Sequence, residues 1–128
     1  MRAPYLLSLA AFALVPLAAP RPHAAGKVVA VRMVDVSATA FKFDPAVISA
    51  APGDTIRFTQ TTTTPHNVEL KATPTGVDAG AAKMGPFLTT QGSTYDLVLD
   101  AKFTPGTYQF ACTPHEVLGM KGTLTVAK

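Results

Sequence analysis

Chain-reversing residues recur every several positions from residue 44 onward: Asp44-Pro45, Pro52-Gly53-Asp54, Pro65, Pro74, Gly85-Pro86, Gly92-Ser93 and Pro105-Gly106. The stretches around and between them are short and rich in β-branched and aromatic residues, at roughly 28–36, 39–43, 47–50, 55–60, 66–71, 94–100, 106–112 and 121–127. About eight short strands with such turns predict an all-β sandwich or barrel. Eleven prolines and nine glycines in 128 residues exclude long helices and coiled coils, because neither residue suits a helix interior. Segment 73–88 fits the strand pattern poorly, and its Ala-rich part, Val77–Lys83, reads as one helical turn or two.

The first 25 residues differ from the rest. Met1-Arg2 is followed by an apolar run, Tyr5 to Ala19, with the length and small-residue ending of a secretory leader. Pro16, Pro20 and Pro22 argue against a core helix there. The expected organisation is a signal peptide and linker over 1–25 and a single domain over 26–128. Export to the periplasm or an equivalent compartment is the expectation. No apolar run reaches the ~20 residues of a membrane-spanning helix, and no cysteine lies near the leader to take a lipid, so the processed chain is expected to be soluble. The net charge of +3 is partly due to the leader. From Gly26 onward nine Lys/Arg face eight Asp/Glu, with no basic cluster, so nucleic acid is not an expected partner.

Export makes the lone cysteine informative. Cys112 has no intrachain disulfide partner, and an unpaired thiol in an oxidising compartment is buried, paired with another chain, or bound to something. Alternation along a strand puts Tyr108, Phe110 and Cys112 on one face, with Thr107 and Gln109 on the other. The same parity groups His66 with Val68 and Leu70 and turns Asn67 and Glu69 away. Met120 matches the inward Leu124 and Val126 if that strand extends back so far. In Cys112-Thr-Pro-His115-Glu-Val-Leu-Gly-Met120 the spacing is Cys-x2-His-x4-Met, a loop able to fold three side chains around one ion. His66 is the obvious fourth donor. Downstream of residue 25 the chain has only these two histidines.

A thiolate, two imidazoles and a weak thioether form the donor set of a blue-copper site. Zinc would accept Cys and two His, but a structural zinc site usually closes with another Cys or His. A catalytic zinc would want an open water position and a base, for which Glu116 is the one acid in the loop. Copper suits the donors better.

Phe41-Lys-Phe-Asp-Pro45, Ala51-Pro-Gly-Asp-Thr-Ile-Arg-Phe58, Pro65-His-Asn-Val68, Tyr108-Gln-Phe-Ala-Cys-Thr-Pro-His115 and Gly119-Met-Lys-Gly122 together resemble the small cupredoxins. The likeness covers roughly residues 28–128, with 72–93 aligning poorly. Within that family the ligand loop is similar to those of plastocyanin and pseudoazurin. Azurin has a longer Cys–His gap and amicyanin a shorter His–Met gap. The resemblance implies an eight-stranded Greek-key β-sandwich holding one copper ion, Cu(II)/Cu(I), through His66, Cys112, His115 and Met120. It further implies that Asn67 braces the two ligand loops through Thr113. Ala111 stands where plant plastocyanins carry a tyrosine, and the body has no acidic run, so a plant-type acidic docking surface is not expected.

The function implied is one-electron shuttling between redox proteins, such as a c-type cytochrome or a membrane electron-transfer complex, by a monomer. Cys112 would supply the thiolate, His66 the buried imidazole, His115 the electron port near solvent and Met120 the axial ligand. Protonation of His115 in the Cu(I) form would slow transfer at low pH. Pro65, Pro114, Val117 and Leu118, with Pro86 and Phe87, would form an apolar docking patch around His115. The competing reading is copper binding or delivery without a redox partner. An enzyme is not expected, because copper oxidases and nitrite reductases need further histidines and a dinuclear CuA site needs two cysteines.

Overall fold

The computed structural model describes residues 26–128; the leader read over 1–25 lies outside them. Eight strands form: β1 (Val28–Ser37), β2 (Ala40–Asp44), β3 (Val47–Ala50), β4 (Thr55–Gln60), β5 (Glu69–Ala72), β6 (Thr94–Val98), β7 (Gly106–Ala111) and β8 (Lys121–Val126). They make two four-stranded sheets, ordered β2-β1-β4-β6 and β3-β8-β7-β5. The β1–β4 and β3–β8 pairs are parallel and the rest antiparallel. Only β1–β2 and β7–β8 are consecutive strands paired in one sheet; every other connection passes from one sheet to the other.

Period-two alternation builds the core between the sheets. Val31 and Met33 of β1, Ile56 and Phe58 of β4, and Leu97 of β6 meet Tyr108 and Phe110 of β7 and Leu124 and Val126 of β8, all buried. Phe43, Phe58 and Phe110 pack edge to face, with centroids 4.9–5.8 Å apart, the arrangement the ring quadrupoles favour. Gly122 pairs with Phe110 across β7–β8. A Cβ at Gly122 would lie 2.2 Å from that ring, so the aromatic occupies the space a side chain would need.

The sequence-based boundaries hold closely except around His66. The expected strand over 66–71 begins only at Glu69, while His66 makes an isolated bridge to Leu88. Its N–H donates to the Leu88 carbonyl at 3.2 Å, and the Leu88 N–H returns to its carbonyl at 2.8 Å. Strand parity therefore does not govern this segment. Asn67, expected to face away, is 1% exposed, and His66 and Val68 beside it are buried too. Met120 lies one residue before β8 and is fully buried. The Ala-rich part of 73–88 gives one short 3₁₀ turn, Gly80–Lys83.

Candidate metal centre

Cys112 follows β7 directly, and its N–H donates to the Met120 carbonyl at 3.0 Å, continuing the β7–β8 pairing by one rung. Inside that rung the chain turns tightly. His115 N–H donates to Cys112 O, and Met120 N–H to His115 O, each at 3.1 Å. A 3₁₀ turn, Glu116–Leu118, fills the space between and ends at Gly119 with φ of 87°, a left-handed conformation that glycine adopts without Cβ strain. Backbone bonds thus fix Cys112, His115 and Met120 relative to one another before any ion is considered.

His66 arrives from the other side on the bridged segment. The buried Gln60 amide reinforces that segment, donating from Nε2 to the carbonyls of Thr64 (2.5 Å) and Leu88 (2.8 Å). His66 Nδ1 lies 3.6 Å from Cys112 Sγ and 3.0 Å from His115 Nδ1, and His115 Nδ1 lies 3.5 Å from the sulfur. Two imidazole nitrogens and a sulfur converge on one small volume. Among the described residues these three form the one His/Cys/Asp/Glu group of metal-binding geometry. Met120, buried and tied by its backbone to Cys112 and His115, adjoins them.

Burial favours neutral side chains here. Burial pushes the Cys112 thiol up, only partly offset by the backbone N–H groups of Asn67 and His115. A bound metal reverses that balance by deprotonating the thiol outright. Burial, and then the nearby His66, hold His115 below the ordinary histidine value, although Asp35 pulls the other way. The imidazole is thereby kept in the neutral form a metal requires. The residues present fit copper: soft and borderline donors, enclosed and pre-aligned.

The loops are laced together around the site. Asn67 Oδ1 accepts the Thr113 N–H at 2.8 Å, and its Nδ2 donates to Thr113 Oγ1 at 2.9 Å. The Thr113 hydroxyl donates onward to Glu69 Oε2, and Lys71 Nζ lies 3.1 Å from Glu116 Oε2. Pro65, Pro114, Val117 and Leu118 are exposed, Val117 by 90%, as are Pro86 and Phe87.

Two contacts escaped the sequence reading. Phe41 stacks on His115, with centroids 4.0 Å apart and planes 23° from parallel. Asp35 Oδ1 lies 2.7 Å from His66 Nε2. Period two could have found the second, since Asp35 continues the inward parity of Val31 and Met33 and is an acid where a hydrophobe belongs.

The family of copper binding proteins described as plastocyanin/azurin matches residues 30–127. The chain belongs to that family. This cupredoxin is 40% identical to plastocyanin from Prochlorothrix hollandica over 84 residues, which is 66% of this chain and 62% of that protein. It is also 40% identical to plastocyanin from Ulva arasakii over 89 residues, 68% of this chain and 88% of the relative. The chain thus spans somewhat less than two thirds of the Prochlorothrix protein. Among solved structures, oxidised plastocyanin from Dryopteris crassirhizoma superposes with a TM-score of 0.60 at 32% identity, covering 77% of this chain and 99% of that one. A reduced amicyanin variant gives 0.60 at 28% identity, covering 82% and 86%. Members of this family are blue copper electron carriers and not enzymes.

Proposed function

We propose that the chain shuttles single electrons between redox proteins, holding one copper ion through His66, Cys112, His115 and Met120. The observation that carries this is the meeting of Cys112 Sγ with two imidazole nitrogens, all within 4.8 Å of one another. Copper bound there supplies a one-electron Cu(II)/Cu(I) couple. The protein's contribution is to keep the donors still as charge changes, because a site that moves little costs little reorganisation. His66 is held by the bridge to Leu88 and by Asp35, and Cys112, His115 and Met120 by the loop's own backbone bonds.

His115 is the half-buried member and His66 the fully buried one, which supports His115 as the route by which electrons enter and leave. The exposed Pro65, Pro114, Val117 and Leu118 supply an apolar rim for brief docking through a small interface. The lack of an acidic run in the body favours apolar over charge-led docking. Partners of the kind expected are a c-type cytochrome or a membrane electron-transfer complex. The same reading takes residues 1–25 as a removed leader, 26–128 as the mature domain, the compartment as periplasmic or otherwise exported, and the protein as a monomer. Fixed donors, three of the four buried, favour retention of copper over its delivery.

The test is the visible and EPR spectrum of the mature chain loaded with Cu(II), beside Cys112→Ala. An intense thiolate-to-copper band with narrow hyperfine splitting, both lost in the variant, is expected. A pale protein with ordinary hyperfine splitting would refute the proposal.

A further inference from the structure

Asp35 is an acid at a core-facing position of β1, close to where pairing with β2 becomes irregular between Asp35 and Ser37. Its side chain is 22% exposed, and among the described residues its ion-pair contact is with His66. Both carboxylate oxygens are engaged. Oδ1 faces His66 Nε2 at 2.7 Å, and Oδ2 accepts from the Thr64 hydroxyl. Thr64 donates to one oxygen and His66 Nε2 faces the other, so both oxygens sit where a carboxylate accepts. The loop carrying His66 is itself fastened to β1, because Thr61 Oγ1 donates to the Met33 carbonyl at 2.6 Å. Sheet, acid, loop and imidazole therefore form one continuous assembly.

An ionised carboxylate accepts hydrogen bonds and cannot donate, so the proton between Asp35 and His66 belongs to Nε2. That leaves the Nδ1 lone pair free, and Nδ1 is the atom facing Cys112 and His115. A carboxylate on the outer nitrogen of a ligating imidazole fixes its tautomer and raises its basicity. It also adds a full negative charge one imidazole ring away from the metal.

We infer that Asp35 is a positioning residue for His66 whose negative charge lowers the reduction potential of the copper site. The inference rests on the copper reading above. The charge balance gives the sign. Cu(II) with the Cys112 thiolate carries +1, and one electron taken from a partner brings it to 0. With Asp35 counted the two states are 0 and −1. Adding the electron to an already neutral, desolvated assembly is harder, and the oxidised state is favoured. At one imidazole ring's remove and an effective dielectric of ~20, a unit charge biases the Cu(II)/Cu(I) ratio by more than tenfold.

Asp35→Asn removes the charge at nearly constant shape. The amide oxygen still faces Nε2, and the Thr64 hydroxyl can rotate to accept from the new amide N–H. The control is Asp100→Asn, which removes an equal charge beside Pro105, before the start of β7 and at the far end of that strand from Cys112. Midpoint potentials of the copper-loaded wild type and both variants are measured by voltammetry, with visible spectra of each. In the metal-free wild type, long-range nitrogen–proton NMR reads the His66 tautomer. The expected results are blue spectra throughout, a midpoint at least 59 mV higher in D35N (tenfold for one electron), a D100N midpoint within twofold of wild type in the same ratio, and the proton on His66 Nε2. Blue wild-type and D35N proteins with the same midpoint, or equal shifts in D35N and D100N, overturn the inference and leave the functional reading standing. A wild type without the blue band overturns both. If D35N does not fold, the wild-type spectrum decides, and a proton on His66 Nδ1 refutes the assignment.

Discussion

Replacing Asn67 with alanine should loosen the link between the two ligand-bearing segments without touching a metal donor. Asn67 is 1% exposed and makes a reciprocal pair with Thr113, accepting its backbone N–H at 2.8 Å and donating to its hydroxyl at 2.9 Å. The two bonds are not equivalent. Thr113 is exposed, so water can replace the amide at its hydroxyl, and that bond is worth about 0.5 kcal/mol. The part-buried N–H has no such ready substitute, and leaving it unpaired costs about 1–3 kcal/mol. Asn67→Ala should therefore destabilise the metal-free protein by about 2 kcal/mol, with the space left by the buried amide adding to it. Thr113→Ala keeps the N–H bond and should cost about 0.5 kcal/mol. In the double variant the Asn67–hydroxyl bond is already gone, so the second substitution should add only the loss of the exposed hydroxyl bond to Glu69, less than Thr113→Ala costs alone. Urea unfolding of the metal-free protein measures all three, and for an m-value near ~1 kcal/mol/M the Asn67→Ala midpoint falls by about 2 M. A loss in Asn67→Ala no larger than in Thr113→Ala, or simple additivity in the double variant, would refute the reasoning.

Stability of the metal-free protein should also fall on mild acidification. His115 has a lowered folded value, so below the ordinary histidine value of about 6.5 the unfolded chain binds more protons and acid favours unfolding. Asp35, Asp54 and Asp96, all lowered, extend the loss to more acid pH. A thermal midpoint flat from pH 7 to 4 would contradict this. Gly122→Ala drives a Cβ into the Phe110 ring and should cost about 1–3 kcal/mol by overpacking, measured by thermal unfolding; a neutral outcome would mean that β8 shifts freely. Lys71→Ala removes an exposed ion pair with Glu116 and should change stability by less than about 0.5 kcal/mol at physiological salt, a null result checked in the same assay.

The β7–loop–β8 half of the site was legible because one regular ladder carries it. Alternation along Tyr108, Phe110 and Cys112 survives in the structure, and the nine-residue loop returns to the rung it left. The His66 half was legible in composition but not in geometry. The body's two histidines point to it, yet period two misplaces Asn67, because residues 66–68 lie outside β5 and His66 bridges to Leu88. No local rule reveals such a bridge, since its partner lies some twenty residues downstream in a segment that fits the strand pattern poorly. Asp35 was readable as an anomaly of period two on β1. Phe41 lies in the stretch Phe41-Lys-Phe-Asp-Pro45, but its stacking on His115 depends on how the two sheets meet, which no single segment encodes.

The sheet-to-sheet weaving has a kinetic consequence. Only β1–β2 and β7–β8 can form from neighbouring stretches of chain, so most of the sandwich waits on loop closures between distant segments, the topology associated with slow folding. His66 and Cys112, 46 residues apart, come together only after those closures. Strong copper capture is therefore a late event, and the metal acts on the finished sandwich, drawing the folding equilibrium toward completion in proportion to how tightly it is held.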